Sequence, residues 1–154
     1  MQNDYPFCPV PFTQVTIDDA FWQPRLETNR TVTMPFAFRK SEQTGRIANF
    51  VRASGLEAGP HRGRRYNDSD VFKVVEGAAY TLHLQPDPAL DAYLDDLIVK
   101  IAAAQENDGY LYTARTIDPE HPPELAGPTR WSFLEQSHEL YNVGHLYEAA
   151  VAHY

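Results

Sequence analysis

The sequence has one cysteine, Cys8, in 154 residues. That excludes an internal disulfide and any zinc site built on several cysteines of this chain. Positive charge is also in deficit: 13 Lys+Arg stand against 21 Asp+Glu, a formal net charge of -8. Such a balance repels phosphate backbones and anionic membrane surfaces, so no nucleic-acid partner is expected. The one basic cluster, His61-Arg62-Gly63-Arg64-Arg65, reads as a solvated loop. No stretch approaches ~18 consecutive apolar residues, and no basic region followed by an apolar run opens the chain, so neither a membrane span nor a secretion signal is expected. Cytoplasmic localisation is the default. Strand-like alternation is nearly missing too: Val15-Thr16-Ile17 is a short strand candidate with no second run to pair with. Nor is there a Ser-His-Asp set with a nucleophile-elbow glycine pattern to support hydrolysis by that route.

What is present is helical periodicity. After a leader carrying Pro6, Pro9 and Pro11, Asp18 or Asp19 can cap a helix that begins at Phe21-Trp22, carries Pro24 early and runs towards Arg30. Pro35 is expected to break or restart it. The next segment, Phe36 to Gln43, should close at Thr44-Gly45, where glycine suits a left-handed C-terminal position. Asn49 to Asn67 is expected to be a loop, because Gly55, Gly59-Pro60 and Gly63 interrupt it. Asn67-Asp68-Ser69-Asp70 then offers several caps before a helix from Val71 to Leu84. Gln85-Pro86-Asp87-Pro88 leads into another, Ala89 to Gln105, stopping at Asn107-Asp108-Gly109. These two are expected to form an antiparallel pair. A long Pro-rich loop from Tyr110 to Trp131 follows, of a length that is usually functional or disordered. The closing helix starts at about Phe133. Successive helices without a competing sheet make an all-α fold.

Placed on a helix at ~100° per residue, the stretch from Trp131 to Tyr154 sorts into two faces. Leu140, Val143, Tyr147, Ala150, Val151 and Tyr154 form the expected packing face. Opposite them stand His138, Tyr141, Asn142 and His145, with the small Ala149 and Ala152 between and beyond. Those groups of intermediate polarity suit a lined cavity, although packing would account for the same residues. A helix with both faces occupied belongs inside a larger assembly. This one coincides with the end of the sequence, so an amino-terminal piece of something longer is expected. Glu135-x-x-His138 and His145-x-x-Glu148 resemble metal-ligand pairs, but one helix supplies everything and the two histidines lie about 10 Å apart. No metal site is expected within the chain. A hydroxyl-rich ligand fits better: sugars need bidentate amide or carboxylate partners, neutral imidazoles and flat aromatic surfaces, and His138, Tyr141, Asn142, His145, Tyr110 and Trp131 are the candidate substrate-binding residues. No catalytic residue is identified.

Four blocks carry a resemblance: Val15 to Trp22, Asn67-Asp68-Ser69-Asp70-Val71-Phe72-Lys73, Ala104 to Leu111, and Ser137-His138-Glu139-Leu140-Tyr141-Asn142-Val143-Gly144-His145 continuing to Ala152. In order and spacing they resemble the amino-terminal part of the β-L-arabinofuranosidase-type glycoside hydrolases, families 127 and 146. The resemblance implies an (α/α)6 barrel, with residues 18–154 as its N-terminal portion. Residues 1–17 would then be a leader and a short strand belonging to a β-sandwich of the full-length family. It further implies a retaining double displacement on β-linked L-arabinofuranosides, with a zinc-bound cysteine thiolate as nucleophile and a glutamate as acid/base. Cys8 matches none of these, so no cofactor is expected in this chain and zinc only in the full-length family. Of the family's sugar-contacting residues, one falls on His138. The chain is thus expected to supply part of a sugar-binding wall for an arabinofuranoside and to be inactive alone, its open edge meeting a second copy or a carboxy-terminal portion. The alternative is a non-catalytic helical module for carbohydrate or protein binding.

Overall fold

The computed structural model describes residues 6–154; the first five residues of the expected leader lie outside the described residues. Among the described residues every regular element is helical, and the expected all-α class is what forms. The short strand at Val15 to Ile17 does not form. Val15 is extended, at φ -106° and ψ 121°, but an isolated extended segment with no ladder partner is not a stable strand in water.

Helix α1 (Gln23–Thr28) runs through a π-turn, Asn29–Thr33, into α2 (Met34–Gln43), so Pro35 does not break the run. A proline ring crowds the carbonyl four residues back and lacks an N–H, and the wider π-turn falls where that carbonyl lies. Gly45, at φ 79°, supplies the expected left-handed turn. Helix α3 (Arg46–Ala53) then occupies ground expected to be loop. Ile47 and Phe50, three residues apart, bury one side of it, and the glycines begin only beyond its end. Helices α4 (Asp68–Leu84) and α5 (Pro88–Ala103) complete the main core, where Phe38, Phe50, Val71, Phe72, Leu94 and Leu97 meet. The Phe50 and Phe72 rings lie 5.6 Å apart. Asp87 caps α5 by accepting from the backbone N–H groups of Ala89 and Leu90.

The long loop is ordered. Its chain forms a short helix α6 (Thr113–Thr116) and a 3-10 turn, Glu124–Ala126, over a small core of Tyr110, Tyr112, Ala114 and Ala126. Buried Arg115 ties it together by donating to the carbonyls of Ala126, at 2.9 Å, and Gly127. Gly127 is required: it sits at φ 75°, and a Cβ there would lie 2.7 Å from Ser132 Oγ.

The closing segment is two helices, not one: α7 (Leu134–Ser137) and α8 (Glu139–His153), broken at His138. The main partner of α4 is α8 and not α5. They run parallel, since Lys73 meets Tyr141 near their starts and His83 meets the Ala152 carbonyl near their ends. Of the face expected to line a cavity, Asn142, Ala149 and Ala152 turn inward, joined by Glu139, the alanines allowing a close approach, while Tyr141 stays exposed. The expected packing face is exposed, Leu140 at 57%, Tyr147 at 64% and Val151 at 78%.

One buried contact fastens the loop to α4. The Asp68 carboxylate, at 1% exposure, accepts from the Thr113 backbone N–H at 2.8 Å and from the Thr113 hydroxyl at 2.5 Å. The run of caps expected at Asn67 to Asp70 therefore serves tertiary structure; Asn67 itself makes no side-chain cap bond. Burial pushes the Asp68 carboxyl up to about 6, against the two Thr113 donors that favour its charge.

Two outcomes follow for stability. Phe72→Ala should cost about 3–5 kcal/mol, read as a lower urea midpoint. Between pH ~3.9 and about 6 the folded Asp68 keeps a proton that the unfolded chain has released. Its contribution is therefore full below pH ~3.9 and lost as pH rises through about 6. Asp68→Asn, which cannot titrate, should remove a falling slope worth on the order of 3 kcal/mol across that window when urea melts are compared at several pH values.

Candidate functional site

The N-terminal ends of the parallel helices α4 and α8 converge, and the polar residues of the chain gather there. Asp68 in the first turn of α4 and Glu139 in the first turn of α8 both place carboxylates where the helix dipole favours them. Glu139 is almost completely buried and fully engaged. Its carboxylate accepts from the Tyr110 hydroxyl at 2.7 Å, the Ser137 hydroxyl at 2.8 Å and the Trp131 backbone N–H at 3.1 and 3.2 Å. Burial first, then this hydrogen bond to Glu139, pushes the Tyr110 phenol well above its usual value, so it remains a neutral donor. Tyr112 donates to the Ser137 carbonyl at 2.6 Å, and Arg65 donates to that of Gln136 at 2.6 Å. The short α7 is thereby pinned from both sides.

These ties hold two residues in a conformation that side chains rarely adopt. Trp131 has φ 63° and His138 φ 65°, each costing about 1–3 kcal/mol that the surrounding contacts must offset. Glu139 grips the backbone N–H of the first and follows the second directly in sequence. His138 is thus not a position on a helix face, as the wheel assumed; it is the left-handed corner where α7 turns into α8. Its Nδ1 lies 2.8 Å from the Gln136 carbonyl, so Nδ1–H donates there and Nε2 is left to other partners.

From this corner a row of rings runs along the start of α8. His138 stands 5.0 Å from Tyr66 and 5.7 Å from Tyr141, and Tyr141 stands 4.7 Å from His145. The Lys73 ammonium donates to the Tyr141 hydroxyl at 2.5 Å, so that hydroxyl keeps its own hydrogen for a further partner. His145 turns Nδ1 to Glu148, 2.7 Å away. Tyr141 is 45% exposed. The other candidates are placed differently. Asn142 is fully buried with its amide towards the Arg65 carbonyl, behind the row and out of a ligand's reach. Tyr110 is also buried, edge-on to the exposed Trp131 at 5.2 Å, while Arg130 lies over its ring at 4.2 Å and bridges Glu106 and Asp108. Sequence reasoning missed Glu139, which connects the Tyr110–Trp131 pair to the His138 row. The signal lay inside the quoted block, as the acid following Ser137 and His138 at a helix start. It missed Tyr66 as well, whose loop carries no periodicity. The arrangement brings an acceptor, a donor and aromatic edges together, with the Lys73 ammonium against Tyr141.

Residues 14–154 match the family described as beta-L-arabinofuranosidase, GH127 catalytic domain. Over 108 residues the chain is 43% identical to a non-reducing end beta-L-arabinofuranosidase of Bifidobacterium longum subsp. longum, a match covering 70% of this chain and 16% of that protein. Its fold is similar to a solved GH127 beta-arabinofuranosidase at TM-score 0.90 and 51% identity, over 95% of this chain and 23% of that one. A solved GH127 beta-L-arabinofuranosidase from Geobacillus stearothermophilus T6 matches at TM-score 0.81 and 36% identity, over 90% and 22%. The chain spans less than a quarter of the length of each of these relatives. With a family match over nearly all of its residues, the chain belongs to the GH127 beta-L-arabinofuranosidase catalytic-domain family.

Proposed function

We propose that these residues form one wall of the sugar pocket of a glycoside hydrolase that releases L-arabinofuranose from β-linked L-arabinofuranosides. The observation that carries this reading is the ring row His138–Tyr141–His145, with the free acceptor at His138 Nε2 and the free donor at the Tyr141 hydroxyl. A sugar hydroxyl both donates and accepts, so it can meet both. Trp131 adds an exposed aromatic surface on the Glu139-held side, where a sugar's C–H face can rest. His145 supports Tyr141 edge-on, and Asn142 and Tyr110 hold the wall from behind.

The parallel α4 and α8, with α5 returning between them in sequence, are consistent with inner and outer helices of an (α/α)6 barrel whose N-terminal portion spans residues 18–154. In the retaining mechanism that this family membership suggests, one group attacks the anomeric carbon and a carboxyl serves in turn as acid and base. The zinc-bound thiolate implied by the resemblance does not fit the residues present here. Cys8 is exposed, and the three-donor cluster found among the described residues contains no cysteine. The nucleophile, the acid/base and the thiolate-bound zinc of that mechanism are accordingly assigned to residues other than these. Carbohydrate is the partner; the wall contributes binding and orientation.

NMR titration of the 154-residue chain with methyl β-L-arabinofuranoside should shift the ring signals of His138 and Tyr141. His138→Ala should weaken that binding by about tenfold, the worth of a single well-placed hydrogen bond. No aryl β-L-arabinofuranoside should be hydrolysed by the pure chain. Turnover by this chain, or an affinity untouched by His138→Ala, overturns the assignment.

A further inference from the structure

Away from the sugar-facing corner, two turns along α8, His145 and Glu148 meet Glu76 of α4. A donor atom from each of the three lies within 4.8 Å of the other two. Sequence spacing could offer only the His145–Glu148 pair, because Glu76 is 69 positions away from His145; the packing of α4 on α8 supplies the third donor. Two carboxylates drawn this close repel unless something positive lies between them. Among the described residues no lysine or arginine lies within salt-bridge distance of Glu76 or Glu148. Lys73, one turn before Glu76, is committed to the Tyr141 hydroxyl.

We propose that Glu76, His145 and Glu148 bind a divalent transition cation of the zinc class and so clasp α4 to α8. A mixed imidazole and carboxylate set suits Zn²⁺ better than Mg²⁺ or Ca²⁺, which take oxygen ligands. Zinc ligands at about 2.0–2.2 Å in a tetrahedron stand roughly 3.3–3.5 Å from one another. The His145 Nδ1 to Glu148 Oε2 separation of 2.7 Å and the 4.8 Å limit on the set bracket that spacing. The Glu148 side chain, 57% exposed, is free to rotate the remaining distance. His145 would coordinate through Nδ1, in place of its bond to Glu148, with water completing the tetrahedron. His145 is shared with the ring row, whereas Glu76 and Glu148 lie outside it, so their glutamine variants read the cation site apart from the sugar wall.

Isothermal titration of the chain with ZnCl₂ alone should give one equivalent bound in the micromolar range, and Co²⁺ in its place should give a tetrahedral d–d absorption band. Glu76→Gln and Glu148→Gln should each weaken binding at least tenfold, taking the smallest loss seen on removing even an outer partner of a metal site as ~10-fold. His121→Ala, removing a fully exposed histidine, should change nothing. Glu148 is exposed, so its substitution leaves the fold intact, and circular dichroism verifies helix content for Glu76→Gln. Zinc should raise the thermal midpoint of the parent chain but not of Glu148→Gln. Millimolar binding, binding lost in His121→Ala, or equal affinity in the two glutamine variants and the parent overturns the site.

Discussion

The arrangement of this chain rests on the buried Glu139 carboxylate at the start of α8. Removed from water, a carboxylate is tolerated only when its lone pairs are met, and Glu139 meets them with Tyr110, Ser137 and the Trp131 N–H. Those three partners come from the long loop, from α7 and from the approach to α7. One residue therefore gathers the irregular part of the chain onto the end of a helix. Asp68 does the same at the start of α4, through both donors of Thr113. Two buried acids at two parallel helix starts lock a loop of more than twenty residues without a disulfide, and the local energy they supply is what allows Trp131 and His138 to persist in left-handed conformations.

That locking explains why the ring row stands where it does. His138 projects from a corner and not from a helical turn, so its ring can face both Tyr66 on one side and Tyr141 on the other. Its ring neighbours are Tyr66 and Tyr141, with the Lys73 ammonium against the Tyr141 hydroxyl and the Arg65 guanidinium over the Tyr66 ring.

The closing helix illustrates how far pattern could reach. Its two faces were legible, since a 3.6-residue period separates Leu140, Tyr147 and Val151 from Asn142, Ala149 and Ala152 whatever surrounds them. Which face packs was not legible. The alanines and Asn142 turn inward because α4 brings a matching surface and small side chains permit close approach, whereas the large apolar residues remain exposed among the described residues. Similarly, α3 was read partly as loop because nearby glycines outweighed the Ile47–Phe50 pair on paper; burial of that pair decides the matter in the folded chain.

By itself the sequence determined the helical class, several helix ends, that one cysteine permits no internal disulfide among these 154 residues, and the family resemblance that the comparisons bear out. Each of these depends on spacing, capping or composition, which are properties of neighbours along the chain. Tertiary structure alone decided that α4 pairs with α8, that Glu139 and Asp68 are buried clasps, that His138 is a left-handed corner and that Glu76 meets His145. Each of these joins residues separated by a closed loop, whose entropic cost is repaid only by contacts that exist once the helices have packed.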